Sequence, residues 1–287
     1  MRNGVRAGLA SSLAALALIA APSPASASET IGRLAPTPSA SCAGTTFDFL
    51  EPTVTTGTGY VVPSLPDVSA LVISSWSHNA APAPAGGALT FKVFREAAPN
   101  TYTAVGHDGP RELTPGALNT FPADVPVQPG DVIGINSAVP AVTACTFFDM
   151  TESPLSRSGS LGDGEVGVFG LIDEKDVNVS AVVSPSNTCT LGKPELKKKK
   201  GTATLSATVP NPGQVALSGT GVSAAGASSA VSVGAPGTVE FRIKATGAKR
   251  SKLKRTGRVK VKPTITYTPT GGQASIQSAT VKLRLGR

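Results

Sequence analysis

After its first 27 residues, this chain is interrupted by proline or glycine every few residues. These residues leave no long stretch in which apolar side chains repeat every three or four positions, the pattern of an amphipathic helix. Short β-branched and apolar runs lie between them, at a spacing typical of β-sandwiches and barrels. The sequence therefore predicts an all-β protein.

The first 27 residues have the pattern of a secretory signal peptide. Arg2 and Arg6 form a positive start, residues 9–21 are apolar or small, and residues 25–27 read Ala-Ser-Ala, a cleavage motif. The apolar run is shorter than the roughly 20 residues that span a bilayer, and no later segment is apolar enough to do so. We therefore expect a chain that is exported without a transmembrane segment and matures near Ser28.

The mature chain has the length of two ordinary domains. Residues 28–189 predict a jelly-roll-like β-sandwich with Trp76 in its core, and loops at residues 79–87 and 153–164. Its predicted strands are residues 53–62, 70–76, 89–95, 101–106, 131–137, 166–172 and 177–183.

Residues 190–201 contain four consecutive lysines and predict a solvated linker. Residues 202–287 predict an immunoglobulin-like β-sandwich, because about seven short strands fit its length. Regular alternation on both sides of a Pro-Asn-Pro-Gly turn at residues 210–213 predicts a hairpin at the start of this domain.

Three cysteines in an exported chain allow one disulfide and leave one thiol over. Cys42 and Cys145 each lie beside a strand-like run of the first domain, whereas Cys189 lies at its exit. We therefore predict a disulfide between Cys42 and Cys145.

The charge is divided sharply between the two predicted domains. Residues 28–189 hold 6 basic and 16 acidic side chains, net −10, whereas residues 190–287 hold 18 and 2, net +16. A field that strong attracts polyanions. The predicted polyanion-binding residues are Lys197, Lys198, Lys199, Lys200, Lys249, Arg250, Lys252, Lys254, Arg255, Arg258, Lys260 and Lys262.

We expect residues 249–262 to form a strand with one cationic face. The charge has two alternative interpretations: the lysines serve only solubility, or the basic domain neutralises the acidic one within the same chain. Nucleic acid is a less favoured partner, because neither stacking aromatics nor a helix that could read a groove is predicted beside the basic residues.

The basic half resembles a lysine-rich module of secreted actinobacterial proteins. The resemblance rests on residues 198–205, 209–213 and 217–222, with 252–257 and 266–272; residues 119–122 and 127–134 resemble a domain of the same proteins. It implies an exported accessory architecture with an immunoglobulin-like domain, and it implies no reaction and no catalytic residues.

Few residues suggest catalysis or metal binding. The two histidines, His78 and His107, lie near no Gly-x-Ser-x-Gly motif, and His107 is expected in an exposed turn, so we predict no catalytic residues. Histidines and cysteines are too scattered for zinc. Asp163 and Glu165, in an oxygen-rich turn, are the candidates for a calcium ion, the one cofactor considered, although an acidic surface turn is the simpler interpretation.

These observations predict a non-enzymatic, monomeric module, secreted or loosely associated with the cell wall. Its basic domain would dock on an anionic envelope polymer or extracellular polysaccharide. The alternative is a carbohydrate-active or hydrolytic accessory protein that uses carboxylates of the first domain, although sixteen acidic residues give no preferred pair.

Overall fold

The computed structural model describes residues 28–36, 46–55, 57–82, 87–137, 145–172, 174–224 and 229–286. These residues form an all-β protein with one α-helix among them, as the sequence predicts. The predicted signal peptide lies outside the described residues. The domain boundaries and the jelly-roll and immunoglobulin-like topologies stay predictions.

The described residues of the N-terminal half contain thirteen strands: β1 Glu29–Arg33, β2 Phe47–Leu50, β3 Leu71–Asn79, β4 Ala88–Ala98, β5 Thr101–Glu112, β6 Leu118–Val127, β7 Val132–Ser137, β8 Thr146–Phe148, β9 Leu155–Ser158, β10 Val166–Val168, β11 Gly170–Leu171, β12 Lys175–Val177 and β13 Val179–Pro185.

These strands form a four-stranded sheet in the order β1-β13-β3-β6, a seven-stranded sheet in the order β10-β5-β4-β7-β2-β9-β11, and the pair β8-β12. The outer strands of the larger sheet, β10 and β11, are consecutive in the chain and are separated only by Phe169. The two edges of this sheet therefore come close together, and the sheet curls towards a barrel. Phe169 is buried between them, edge-on to Phe94 and Tyr102.

The N-terminal core lies between the two larger sheets. Trp76 on β3 is 1% exposed and stacks on Phe91 at a centroid distance of 5.7 Å, so its predicted place in the core is confirmed. Its indole nitrogen donates to Asp108 at 2.7 Å, which satisfies the one polar group that the ring buries.

A buried ion pair joins this core to the segment after β9. The Lys92 ammonium lies 2.9 Å from Asp48 and donates to the Ser160 hydroxyl and the Leu161 carbonyl. Asp48 also accepts hydrogen bonds from the Asn136 amide and the Leu161 N–H. Burying a charge is costly unless it is paired and hydrogen-bonded, and both charges meet that condition.

Three sequence predictions for this half are wrong in detail. Residues 53–62 contain one isolated bridge at Val61 instead of a strand, because Pro52 and the glycines at 57 and 59 break the extended run. His107 lies within β5 and not in a turn. The predicted loop 153–164 contains β9, which pairs with β2.

In the C-terminal half, eleven strands and the helix lie within the described ranges: β14 Thr190–Leu191, β15 Glu195–Lys197, β16 Thr202–Val209, β17 Gly213–Ser218, β18 Val222–Ala224, β19 Ala230–Val233, β20 Gly237–Ala245, α1 Gly247–Thr256, β21 Arg258–Val261, β22 Thr264–Pro269, β23 Ser275–Ser278 and β24 Val281–Arg284.

Two sheets and a separate pair of strands surround a second core. One sheet has the order β14-β16-β20-β18, with β15 also on β16; the other has the order β19-β17-β22-β23; the pair is β21-β24. Alternate residues of these strands are buried together, as in the burial pattern of β20. Cys189, which the sequence assigns to the first domain, packs in this second core.

Two sequence predictions for this half are wrong. Residues 190–201 form β14, β15 and a 3₁₀ turn at Lys198–Lys200 on the edge of a sheet, so they are not a free linker. The hairpin is also wrong, because β16 pairs with β20 whereas β17 pairs with β22 and β19. The Pro-Asn-Pro-Gly turn connects strands that belong to two different sheets. Apolar and polar residues alternate in the same way in such strands and in a hairpin, so the sequence pattern does not distinguish the two.

Asn211 in that turn joins the two halves, and we call its contacts the Asn211 clasp. The side chain is 1% exposed; its oxygen accepts from the N–H groups of Ser69 and Ala70 at 2.8 and 2.9 Å. Its amide nitrogen donates to the carbonyls of Ala70 and Ser186 at 2.9 and 3.0 Å. Tyr267 donates to the Asn211 carbonyl at 2.8 Å. Within the described part of the chain, every ion pair lies inside one half.

Candidate functional site

The basic stretch that follows β20 begins with a helix, so the prediction of a strand over residues 249–256 is wrong. Its alanine, lysine, arginine and leucine residues are good helix formers. Thr246 precedes the helix in an extended conformation, and Gly257 ends it at φ 70°, where its N–H donates to the Leu253 carbonyl at 2.8 Å. Leu253 is the one buried residue of the helix, which explains why no amphipathic pattern marks it in the sequence.

The rest of the stretch, β21, pairs with the last strand, β24, and this pairing sets cations side by side. Arg258 lies opposite Arg284 and Lys260 lies opposite Lys282. The alternating residues of both strands, Val259, Val261, Val281 and Leu283, are buried in the second core. All four cations are therefore exposed on one face, and we call them the cation ladder, with two rungs of like charge.

Like charges directly opposite each other destabilise a pair of strands. The ladder borders a groove of about 420 Å³ that α1 covers on one side with Lys249 and Lys252. The other lining residues of this groove, which we call the ladder groove, are Val259 and Leu283, so no acidic side chain lines it. In the described C-terminal half, the one ion pair joins Lys197 to Glu195, and neither residue lines the ladder groove. The six cations of the ladder groove thus repel each other without a carboxylate to offset the cost.

A second basic groove lies beside the same helix, and we call it the second groove. It has a volume of about 500 Å³, and Lys200, Lys244, Arg250 and Lys254 contribute its charge. The 3₁₀ turn is held nearby, because Gly286 donates from its N–H to the Lys198 carbonyl at 2.9 Å. Helix α1 therefore presents cations to two grooves.

The structure brings together seven of the twelve predicted polyanion-binding residues. Lys249, Lys252, Arg258 and Lys260 line the ladder groove, and Lys200, Arg250 and Lys254 line the second groove. The other five, which are exposed and line neither of these grooves, are Lys197, Lys198, Lys199, Arg255 and Lys262.

Sequence reasoning missed Lys244, Lys282 and Arg284. The alternation in β24 matches that in β21, but only the pairing of two strands that are twenty residues apart makes the ladder visible. The helix had a usable signal, since Thr246 and Gly257 bracket a run of helix-forming residues.

The acidic half contains a buried carboxyl cluster around Arg33. Its guanidinium contacts Asp176, Asp149 at 3.4 Å and Glu152 at 3.6 Å. Glu51 and Asp176 are fully buried, and one oxygen of each, Oε1 and Oδ1, has no hydrogen-bond partner.

Burial and the neighbouring Asp176 raise the pKa of Glu51 to about 9. Glu51 therefore carries a proton at neutral pH, and its side-chain hydrogen bond to Asp176 contributes to the raised pKa. The other oxygen of Glu51 accepts from the Val177 N–H at 3.1 Å. Both acids are thus fixed inside the protein, out of reach of a substrate.

The histidines and the candidate calcium residues contact polar groups of the protein itself. His78 is buried, its Nδ1 lies 2.7 Å from the Asn178 carbonyl, and burial lowers its pKa to about 4. His107 contacts Asp163 at 2.9 Å, and Glu165 accepts from the Gly162 N–H at 2.7 Å. Across the described ranges, no group of three or more acidic, histidine or cysteine residues could hold a metal ion.

The predicted disulfide between Cys42 and Cys145 stays a prediction, because Cys42 lies outside the described residues. Cys145 is buried in the N-terminal core. Cys189 is a free thiol in the second core, and burial raises its pKa.

No family model matches the chain, and neither a curated protein nor a solved structure does. The resemblance to secreted actinobacterial proteins therefore stays a prediction. Among the described residues, no helix is long and apolar enough to cross a membrane.

Proposed function

We propose that this protein is an exported, non-enzymatic module of the cell envelope that binds an anionic polymer through its basic half. The observation that carries the proposal is the cation ladder. Two rungs of directly opposed cations, with Lys249 and Lys252 beside them, form a groove without an acidic side chain. Such a groove is unfavourable in the free protein, and a bound polyanion relieves the repulsion.

The contacts between the two halves support a role for the positive charge of the basic half in binding an external polyanion. If the basic half served to neutralise the acidic half, ion pairs would join them. The described polar contacts between the halves are the hydrogen bonds of the Asn211 clasp and the bond that the Ser275 hydroxyl donates to the Asn187 carbonyl, and none of them joins two charges. The basic grooves therefore keep their charge for an external partner.

The hydrolytic alternative gains little support from the acidic half. Its most perturbed carboxyl, Glu51, is completely buried beside Asp176 and is held by the Val177 N–H. A general acid must come within hydrogen-bond reach of the bond it cleaves, and this pair has no surface at which a polymer could meet it. We interpret the cluster as structural.

The test is the binding of the whole protein to purified anionic wall polymer at low and at physiological salt. The ladder variant is Lys260→Gln with Lys282→Gln. The matched control is Lys193→Gln with Arg242→Gln, since both cations are exposed and line neither groove. Each variant removes two positive charges.

We expect the ladder variant to lose about 2 kcal/mol of binding free energy, about 30-fold in affinity, because each cation near an anionic surface contributes about 1 kcal/mol. The control should lose much less. Equal losses in the two variants would show that net charge alone drives the association, and no binding by the unchanged protein would refute the proposal.

A further inference from the structure

The cation ladder has a defined repeat along its strands. Its rungs, Arg258 with Arg284 and Lys260 with Lys282, are two residues apart on both β21 and β24. An antiparallel strand rises about 3.4 Å per residue, so the rungs lie about 7 Å apart. The two side chains of one rung start about 5 Å apart. A linear polymer that lies along the strands therefore meets a pair of cations about every 7 Å.

The repeat of a polymer of glycerol phosphate matches this spacing. Six single bonds separate neighbouring phosphorus atoms when the end carbons of glycerol carry the linkages, as many bonds as two residues contribute to a polypeptide backbone. Two extended residues span about 7 Å, and an extended glycerol phosphate unit spans nearly the same length. One phosphate can thus face each rung in turn.

The walls of the ladder groove select among polymers with a similar repeat. None of the residues that line it is aromatic, and its two apolar members, Val259 and Leu283, have their side chains buried in the second core. Single-stranded nucleic acid gains much of its binding energy from bases stacked on aromatic rings, and sugar rings also pack on flat aromatic faces. An acyclic polyol needs no such surface, so the groove suits it better.

The cations also suit phosphate. Arg258 and Arg284 each carry a planar guanidinium that can hold two oxygens of one phosphodiester, whereas Lys260 and Lys282 act as point charges. Lys249 and Lys252 on α1 add charge at the side of the groove. On these grounds we infer that the polymer of the proposed function, on which this inference rests, is a poly(polyol phosphate), with consecutive phosphates bound by consecutive rungs.

The test compares three oligomers of equal charge number at one ionic strength: an oligo(glycerol phosphate), an oligogalacturonate and an oligothymidylate. The whole protein is titrated with each by calorimetry. We expect the oligo(glycerol phosphate) to bind about tenfold more tightly than the other two. Lys260→Gln with Lys282→Gln should abolish this preference, and Lys193→Gln with Arg242→Gln should retain it.

A second variant separates phosphate geometry from charge. Arg258→Lys with Arg284→Lys keeps every charge and removes the guanidinium forks, so it should weaken the binding of the oligo(glycerol phosphate) several-fold. Equal affinities for all three oligomers would overturn the inference and leave the proposed function intact. Tightest binding of the oligothymidylate would overturn it in favour of nucleic acid, and binding of none would refute the proposed function itself.

Discussion

Replacing Glu51 by glutamine should change how the stability of this protein depends on pH. The folded protein raises the pKa of Glu51 to about 9 from an ordinary value of 4.5. Between these two pH values the folded state binds a proton that the unfolded state has released. The free energy of unfolding is therefore greatest below pH 4.5 as far as this group is concerned, and it falls as the pH rises towards 9.

The size of the effect follows from the shift. Between pH 4.5 and pH 9, each pH unit lowers the free energy of unfolding by about 1.4 kcal/mol. The free energy of unfolding should therefore fall by up to about 4 kcal/mol between pH 5 and pH 8. Glutamine cannot ionise, and its amide can donate to Asp176 while its oxygen accepts from the Val177 N–H. Glu51→Gln should therefore match the unchanged protein at pH 5 to within about 1 kcal/mol and be the more stable protein at pH 8.

The assay is urea unfolding at several pH values, followed by fluorescence. The chain has one tryptophan, the buried Trp76, which reports on the N-terminal core. Glu112→Gln, at an exposed acid on β5, is the matched control and should follow the unchanged protein. A Glu51→Gln variant that lost stability with pH as steeply as the unchanged protein would refute the raised pKa of Glu51.

Three further predictions concern the contacts that hold the structure together. Asn211→Ala removes four hydrogen bonds of the Asn211 clasp and leaves buried backbone groups unpaired, so urea unfolding should show a loss of about 2–4 kcal/mol; no loss would show that water replaces the amide. Lys92→Met leaves Asp48 buried without its cation, so the free energy of unfolding should fall by about 3–5 kcal/mol; an unchanged value would contradict a stabilising role of the ion pair. Peptide mapping without reductant should link Cys42 to Cys145, and a link to Cys189 would contradict the predicted pairing.

The parts of the fold that the sequence predicts are those with a strong local pattern. β3 starts with a continuous apolar run and β20 alternates strictly, so both are recognisable without a structure. The pairing of strands is not local, and for this reason the hairpin over residues 204–219 is wrong although both of its strands exist.

The sequence predicts the positive charge of the candidate site but not the arrangement of its cations. Composition alone locates the cations in the last hundred residues. The cation ladder forms because β24 pairs with β21 across two intervening strands, a pairing that no local pattern indicates. Helix α1 has a single buried residue, Leu253, so its sequence lacks an amphipathic pattern. The carboxyl cluster likewise draws Arg33, Glu51 and Asp176 from segments far apart in the chain, which no spacing rule connects.

The most direct test of polyanion binding through the cation ladder is the salt dependence of the dissociation constant for the purified wall polymer. Each ion pair with a flexible polyanion contributes about 0.7 to the slope of log affinity against log salt concentration. Lys260→Gln with Lys282→Gln should therefore lower the slope by about 1.4, and Lys193→Gln with Arg242→Gln should leave it nearly unchanged. An unchanged slope in the ladder variant would contradict the account, because the polymer would then be bound elsewhere.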